Sequence, residues 1–239
     1  MKTLQSPGII LGLAIFAVLA TSVTSCSKTG VTNNNSVYTY VTVMNLAAWS
    51  PSTEIYFNGS KSTKPITAGN YSQGYAPLKP GSYDVQFKMA GGDSVMADIP
   101  SSSYDSLGFY TLILYNATRN SPANAFKIQD DFSTVSATAA NFRFFNMCPD
   151  VPSTDLYINN TKVHSNRTVA DNVNYSLFNS FQQFAAGTYT IQVKKAGTDS
   201  VIATINSYSM QVQNAYTIFL DGKTGSTNPV ALNILKASF

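Results

Sequence analysis

The feature that most constrains this chain is a motif that occurs twice, 101 residues apart. Residues 45–58 and residues 146–159 both read Asn, a short loop, Pro-Ser-Thr, an acid, an apolar residue, Tyr, an apolar residue and Asn. The similarity returns with an offset of 106 residues, where residues 80–88 match residues 186–194. Because the matching blocks keep the same order, we expect two copies of one domain of about 100 residues each.

Within each copy, short segments rich in β-branched and aromatic residues alternate with Gly, Pro and Asn turns. Residues 83–88 alternate apolar and polar side chains, a period of two that predicts a strand with one buried face. About seven such segments at roughly ten-residue spacing predict an all-β fold with two tandem antiparallel β-sandwich domains, immunoglobulin-like or transthyretin-like. The least similar stretch is five residues longer in copy two, where residues 175–181 predict an aromatic strand.

The N-terminus reads as an export signal. Lys2 precedes an apolar run at residues 9–20, which suits a signal peptide and is too short to span a bilayer. The run ends in a polar stretch and Val23-Thr24-Ser25-Cys26, which resembles the lipobox of bacterial lipoproteins. The resemblance implies that Cys26 becomes the acylated first residue, with palmitate among its chains. The alternative is an ordinary secretory signal cleaved near Ser25.

The predicted organisation is therefore a sequence of four segments. Residues 1–25 form the lipoprotein signal peptide, 26–37 a flexible tether, 38–133 the first repeat and 134–239 the second. The short join between the repeats predicts an end-to-end arrangement with limited freedom. By the same lipoprotein resemblance, Ser27 in place of Asp favours an outer-membrane lipid anchor, and both the periplasmic face and the cell surface stay open.

Composition argues against several classes of function. Charged residues make up 11% of the chain, against about 25% in typical soluble domains, and the net charge of +3 forms no basic stripe, so we expect no nucleic-acid binding. The sequence shows no catalytic triad, paired carboxylates, phosphate loop or dinucleotide motif, so we expect no enzyme, no cofactor and no metal site. Cys148 reads as a buried inert thiol, and His164, the only His, as an exposed strand or turn residue.

Four residues of the repeated motif are candidates for binding: Trp49, Asp150, Asp155 and Tyr157. An exposed Trp49 could stack on a sugar or fill a partner's pocket, or it could pack at the domain edge. The two carboxylates could bind calcium or sugar hydroxyls, or they could brace a loop by accepting backbone N–H bonds. Asp155 recurs in copy one as Glu54, whereas the loop tips around Trp49 and Asp150 differ between copies.

The motif ending at Tyr157, with Ala-Gly-Thr-Tyr at 186–189 and Ala-Gly-Thr-Asp at 196–199, resembles the domain-of-unknown-function family 4397. Copy one departs from that pattern at residues 48–50. The resemblance implies tandem domains in exported lipoproteins of Bacteroidetes-type bacteria, and no established activity. We therefore expect a lipid-anchored cell-envelope protein that is a non-enzymatic binding or structural module. The alternative is a carbohydrate-binding surface lipoprotein of a glycan-uptake system. Under either hypothesis, the partners of this protein would be the membrane and a glycan or an envelope protein. The oligomeric state stays open.

Overall fold

The computed structural model describes residues 37–237, which form one compact unit. The predicted signal peptide, Cys26 and the tether before residue 37 lie outside the described residues. The described chain forms seventeen strands and one 3-10 helix, η1. In the first repeat the strands are β1 Thr39–Asn45, β2 Thr53–Phe57, β3 Ser60–Lys61, β4 Asn70–Tyr71, β5 Ala76–Leu78, β6 Gly81–Met89, β7 Val95–Tyr104, β8 Phe109–Asn116 and β9 Ala123–Asp130. In the second repeat the elements are β10 Ala140–Asn146, β11 Thr154–Ile158, β12 Thr161–Arg167, η1 Val169–Leu177, β13 Gln182–Phe184, β14 Gly187–Lys195, β15 Val201–Met210, β16 Ala215–Asp221 and β17 Ala231–Ala237.

Local sequence accounts for many of these elements. In β14, Ile191 and Val193 are fully buried while Gln192 and Lys194 face outward, as the period of two predicts. The turn between β2 and β3 is made by Asn58 and Gly59, both at positive φ. Asn and Gly tolerate that conformation with little strain, so this dipeptide closes a tight hairpin.

Each repeat is a sandwich of two sheets. The outer sheets run β3-β2-β6-β7 and β12-β11-β14-β15. The inner sheets run β4-β1-β8-β9, with β5 also on β1, and β13-β10-β16-β17. The all-β sandwich fold predicted from the sequence is confirmed. One detail differs from a purely antiparallel fold: β1 pairs with β8, and β10 with β16, in parallel. The long excursion through the outer sheet supplies the crossover that a parallel pair needs.

The two inner sheets pack against each other, so the molecule has four layers. One apolar cluster lies inside each repeat, between its inner and outer sheets. A third cluster joins Met44, Ile113 and Phe126 of the first repeat to Phe145 and Phe219 of the second. Fully buried side chains of this size contribute about 1.5–3 kcal/mol each, so the contact is a genuine core. The repeats therefore lie face to face, and the expected end-to-end arrangement is wrong.

The stretch that differs between the copies folds in an unexpected way. The predicted strand at residues 175–181 is wrong, because η1 continues to Leu177 and β13 begins only at residue 182. Thr168 and Asp171 form a capping box at the start of η1. Tyr175 then stacks on Phe126 of the first repeat, with ring centroids 4.6 Å apart. Tertiary contact with the other repeat thus stabilises a segment whose aromatic residues favoured a strand.

Candidate functional site

Trp49 lies at the end of the molecule where β1 leads into β2. Its side chain is half-buried, and its backbone N–H donates to Asn116 Oδ1 at 3.0 Å. Lys223 Nζ, from the second repeat, lies 5.6 Å from the centroid of the Trp49 ring, close enough for a cation–π contact. Trp49 is therefore packed at the seam between the repeats and has less ring surface to offer a ligand than an exposed loop tip would.

Asp150 also belongs to this seam. Its side chain is 1% exposed, and Oδ1 forms an ion pair with Arg119 Nε of the first repeat at 2.7 Å. Oδ2 accepts hydrogen bonds from Thr224 N at 2.7 Å and Thr224 Oγ1 at 2.8 Å. Burial opposes ionisation, but Arg119 and Thr224 outweigh it and hold the pKa of the carboxyl below its usual value. Both oxygens are thus already engaged: Oδ1 joins the two repeats, and Oδ2 fixes the loop at Thr224 within the second repeat.

Asp155 lies elsewhere, on the outer sheet of the second repeat. Its side chain is 2% exposed and pairs with Lys162 Nζ at 2.7 Å. It also accepts backbone N–H bonds from Asn166 at 3.0 Å and Gly197 at 3.2 Å. These contacts overcome the effect of burial and lower its pKa. The carboxylate therefore braces β11 to the neighbouring turns.

The first repeat has the same brace. Glu54 pairs with Lys61 Nζ at 2.7 Å, and its pKa is lowered by that hydrogen bond and by a backbone bond from Gly91. Beside each acid a half-buried Tyr faces outward next to lysines. Lys194 Nζ is 4.5 Å from the ring centroid of Tyr157, and Lys88 Nζ is 4.6 Å from that of Tyr56. The structure thus places Trp49 and Asp150 against one loop, at residues 223–224, and puts Asp155 and Tyr157 on an outer face.

A groove that the sequence did not predict lies where β1 and β8 begin. We call Tyr40, Tyr75 and Phe109 the aromatic groove. Tyr40 stacks on Phe109 with centroids 5.0 Å apart, and Tyr75 meets Phe109 edge to face at 5.3 Å. All three rings are half-buried. Residues separated by 69 positions meet here because β1 and β8 are parallel neighbours, so only the tertiary structure shows the groove.

Phe109 lines two cavities. One of about 560 Å³ is lined by Phe109 together with Gln129 and Asp131, and one of about 420 Å³ by Phe109 together with Gln73 and Lys236. Lys236 belongs to the second repeat, so both repeats contribute to this groove. Aromatic faces beside amide, carboxylate and ammonium groups offer stacking and hydrogen bonding to one ligand.

Two residues that the sequence weighed for chemistry are also placed. The Cys148 thiol is buried, burial raises its pKa to about 11, and Sγ donates to the Gly222 carbonyl at 3.2 Å. Little reactive thiolate is therefore present near neutral pH. His164 was expected to be exposed and is instead half-buried on β12, packed against Phe142 and Phe144. Between residues 37 and 237, no three His, Cys, Asp or Glu side chains lie close enough to hold a metal ion.

No helix in the described part of the chain has the length and apolarity needed to cross a membrane.

Comparison with known proteins covers both repeats. A search of curated proteins found no match. Residues 39–157 and residues 140–237 each match the family described as a domain of unknown function (DUF4397). The two matches cover both sandwiches, and the chain therefore belongs to the DUF4397 family.

Proposed function

We propose that this protein is a lipid-anchored cell-envelope protein of the outer membrane, in which the two repeats form one non-enzymatic binding or structural module. The observation that supports this proposal is the core shared by the two inner sheets. A shared core holds the two sandwiches as one rigid body, which presents fixed surfaces to a partner at the end of a tether.

The position where the described chain starts is consistent with this proposal. Leu107 N donates to Tyr38 O at 2.8 Å, and Leu107 also lines the larger cavity beside Phe109. A lipid on Cys26 would therefore tether the body at the end that carries the aromatic groove. Two or three acyl chains, at about 0.8 kcal/mol per buried CH₂, would anchor the protein stably.

Metabolic labelling with a fatty-acid analogue tests the anchor. We expect label on the wild type and on Cys148→Ala, and none on Cys26→Ala. Membrane fractionation should find the labelled protein with the outer membrane. Equal labelling of the wild type and Cys26→Ala would refute lipidation at this residue.

A second function is favoured by the aromatic groove: binding of carbohydrate, as in a glycan-uptake system. Sugars present flat apolar faces beside hydroxyls, which suits the Tyr40–Phe109 stack with Gln73 and Gln129 nearby. On a glycan array we expect the wild type to bind and Phe109→Ala to lose binding. Trp49→Ala is the matched control, because Trp49 lies at the opposite end of β1. Loss of binding in Trp49→Ala alone would move the site to the loop tips.

A further inference from the structure

Arg167, the last residue of β12, carries a buried charge that is only partly satisfied. Its side chain is 6% exposed, and Nε pairs with Asp171 Oδ2 at 2.7 Å. The guanidinium stacks on the Phe178 ring, with Cζ 3.9 Å from the centroid. Within residues 37–237, its Nη1 and Nη2 atoms are buried and donate no hydrogen bond. Buried donors without an acceptor are costly, by about 1–3 kcal/mol or more for charged groups, so this arrangement calls for an explanation.

A second unpartnered group lies beside it. His164 Nε2 is also buried and has no hydrogen-bond partner among the described residues. His164 and Arg167 both line a cavity of about 380 Å³, with Ser165, Ser180 and Gln182 adding polar groups and Leu177 an exposed apolar rim. Three buried polar nitrogens thus belong to residues around one cavity of ligand size.

The first repeat has a cavity of about 480 Å³ at the equivalent place, so the feature specific to the second repeat is the pair of basic side chains in the lining. At the equivalent positions, 101 residues earlier, the first repeat has Thr63 and Ile66. One backbone contact is the same in both repeats, since Asn45 Nδ2 donates to Ile66 O and Asn146 Nδ2 donates to Arg167 O. The stretch that supplies Leu177 and Ser180 is where the second repeat is longer. A structural role shared by the two repeats would therefore not need Arg167 or His164.

The donors of Arg167 that have no partner indicate which chemical class of ligand fits the cavity. Asp171 occupies the Nε side of the guanidinium, which leaves the end formed by Nη1 and Nη2. Two parallel N–H groups match the two oxygens of a carboxylate, and such bidentate pairs are among the strongest protein hydrogen bonds. We propose that the cavity between β12 and η1 binds a small ligand through its carboxylate, with Arg167 as the bidentate donor and His164 as a second contact.

Because His164 is the only His in the chain, its imidazole resonances report on this cavity alone. We would titrate the folded protein with sodium glucuronate and with sodium propionate. Glucose is the neutral match for the first, and sodium chloride controls for ionic strength. We expect saturable shifts of the His164 signals with at least one carboxylate and none with glucose or chloride. Glucuronate alone would identify a sugar acid, and a response to propionate would show that the carboxylate suffices.

Variants assign the contact to the guanidinium fork. Arg167→Lys keeps a positive charge near Asp171 and loses the fork, so we expect roughly tenfold weaker carboxylate binding. Arg119→Lys, at the seam between the repeats, should bind as the wild type does. Thermal melts would establish that both variants are folded. His164→Thr introduces the residue that the first repeat has at this position. Calorimetric titration of this variant with the carboxylates tests the contact made by His164. Absence of a response to both carboxylates, an equal response to glucose, or full binding in Arg167→Lys would each overturn the proposal, leaving water as the partner of these nitrogens.

Discussion

Arg143 Nη2 lies 2.6 Å from Asp130 Oδ1, and the two side chains, from different repeats, are 1% and 0% exposed. Asp130 Oδ2 also accepts hydrogen bonds from Tyr75 Oη at 2.8 Å and Thr111 Oγ1 at 2.6 Å. Arg143 Nε donates to Thr217 Oγ1 at 2.9 Å. The pair is therefore a fully desolvated ionic contact that links the last strand of one repeat to the first strand of the next.

Breaking this pair should destabilise the protein strongly. We expect Asp130→Ala or Arg143→Thr alone to lower the free energy of unfolding by about 3–5 kcal/mol, because each leaves an uncompensated buried charge. The double variant should lose less than the sum of the two, since it removes both charges. Its new residues are those of the other repeat: Thr42 stands where Arg143 does, and Ala237 pairs with β16 as Asp130 pairs with β8. Urea denaturation of the four proteins gives the coupling energy. Additive losses would show that the two side chains do not act as a pair.

The shared core predicts that the two repeats unfold together. Trp49 is the only Trp and contacts Lys223 across the seam, so its fluorescence reports on the contact between the repeats. Far-UV circular dichroism reports on all the strands. We expect the two signals to give one coincident transition in urea, as two-state unfolding requires. Two separated transitions would mean that each sandwich is stable without the other.

The buried Asp221 and the half-buried His164 should give opposite pH dependences of stability. Burial raises the pKa of Asp221 to about 7, above roughly 3.9 in the unfolded chain, so the folded state binds the extra proton. This group therefore costs stability as pH rises from about 4 to 7. Burial, with the nearby Arg167 charge, lowers the pKa of His164 to about 4. Because the pKa is roughly 6.5 in the unfolded chain, the contribution of His164 to stability rises with pH over about pH 4 to 6.5.

We would measure the free energy of unfolding at several pH values between 4 and 8 for the wild type, Asp221→Asn and His164→Gln. Relative to the wild type, Asp221→Asn should gain stability as pH rises through this range. His164→Gln should lose relative stability over the same range. Parallel curves for all three proteins would show that neither group is perturbed in the folded state.

Substitution of Gly222, which directly follows β16, should destabilise the protein. Its φ is +96°, and an added Cβ would overlap the carbonyl oxygen of Pro229 across the loop. Gly225 is the matched control, because its φ is +68° and a Cβ there would meet open space. We expect Gly225→Ala to cost about 1 kcal/mol through its backbone alone, and Gly222→Ala about 1–3 kcal/mol more. Similar melting temperatures for the two variants would contradict this difference.

Differences between the two repeats are a signal for functional residues that can be read from the sequence. Arg143 stands where the first repeat has Thr42, and Arg167 where it has Ile66. A charge that replaces an uncharged residue within an otherwise repeated frame is a signal of a specialised role. The signal does not predict the partner or the burial of either arginine. Asp130 reaches Arg143 from the other repeat, whereas Asp171 reaches Arg167 within one turn.

By itself the sequence determined the two repeats, the all-β class and turns such as Asn58-Gly59, because repetition, period two and positive-φ preferences are local properties. The tertiary structure decided how the inner sheets pack, which brings together Arg143 with Asp130 and Arg119 with Asp150. It also decided that residues 175–181 form no strand. These outcomes depend on contacts between distant residues in a desolvated interface, where packing and charge pairing override local propensity.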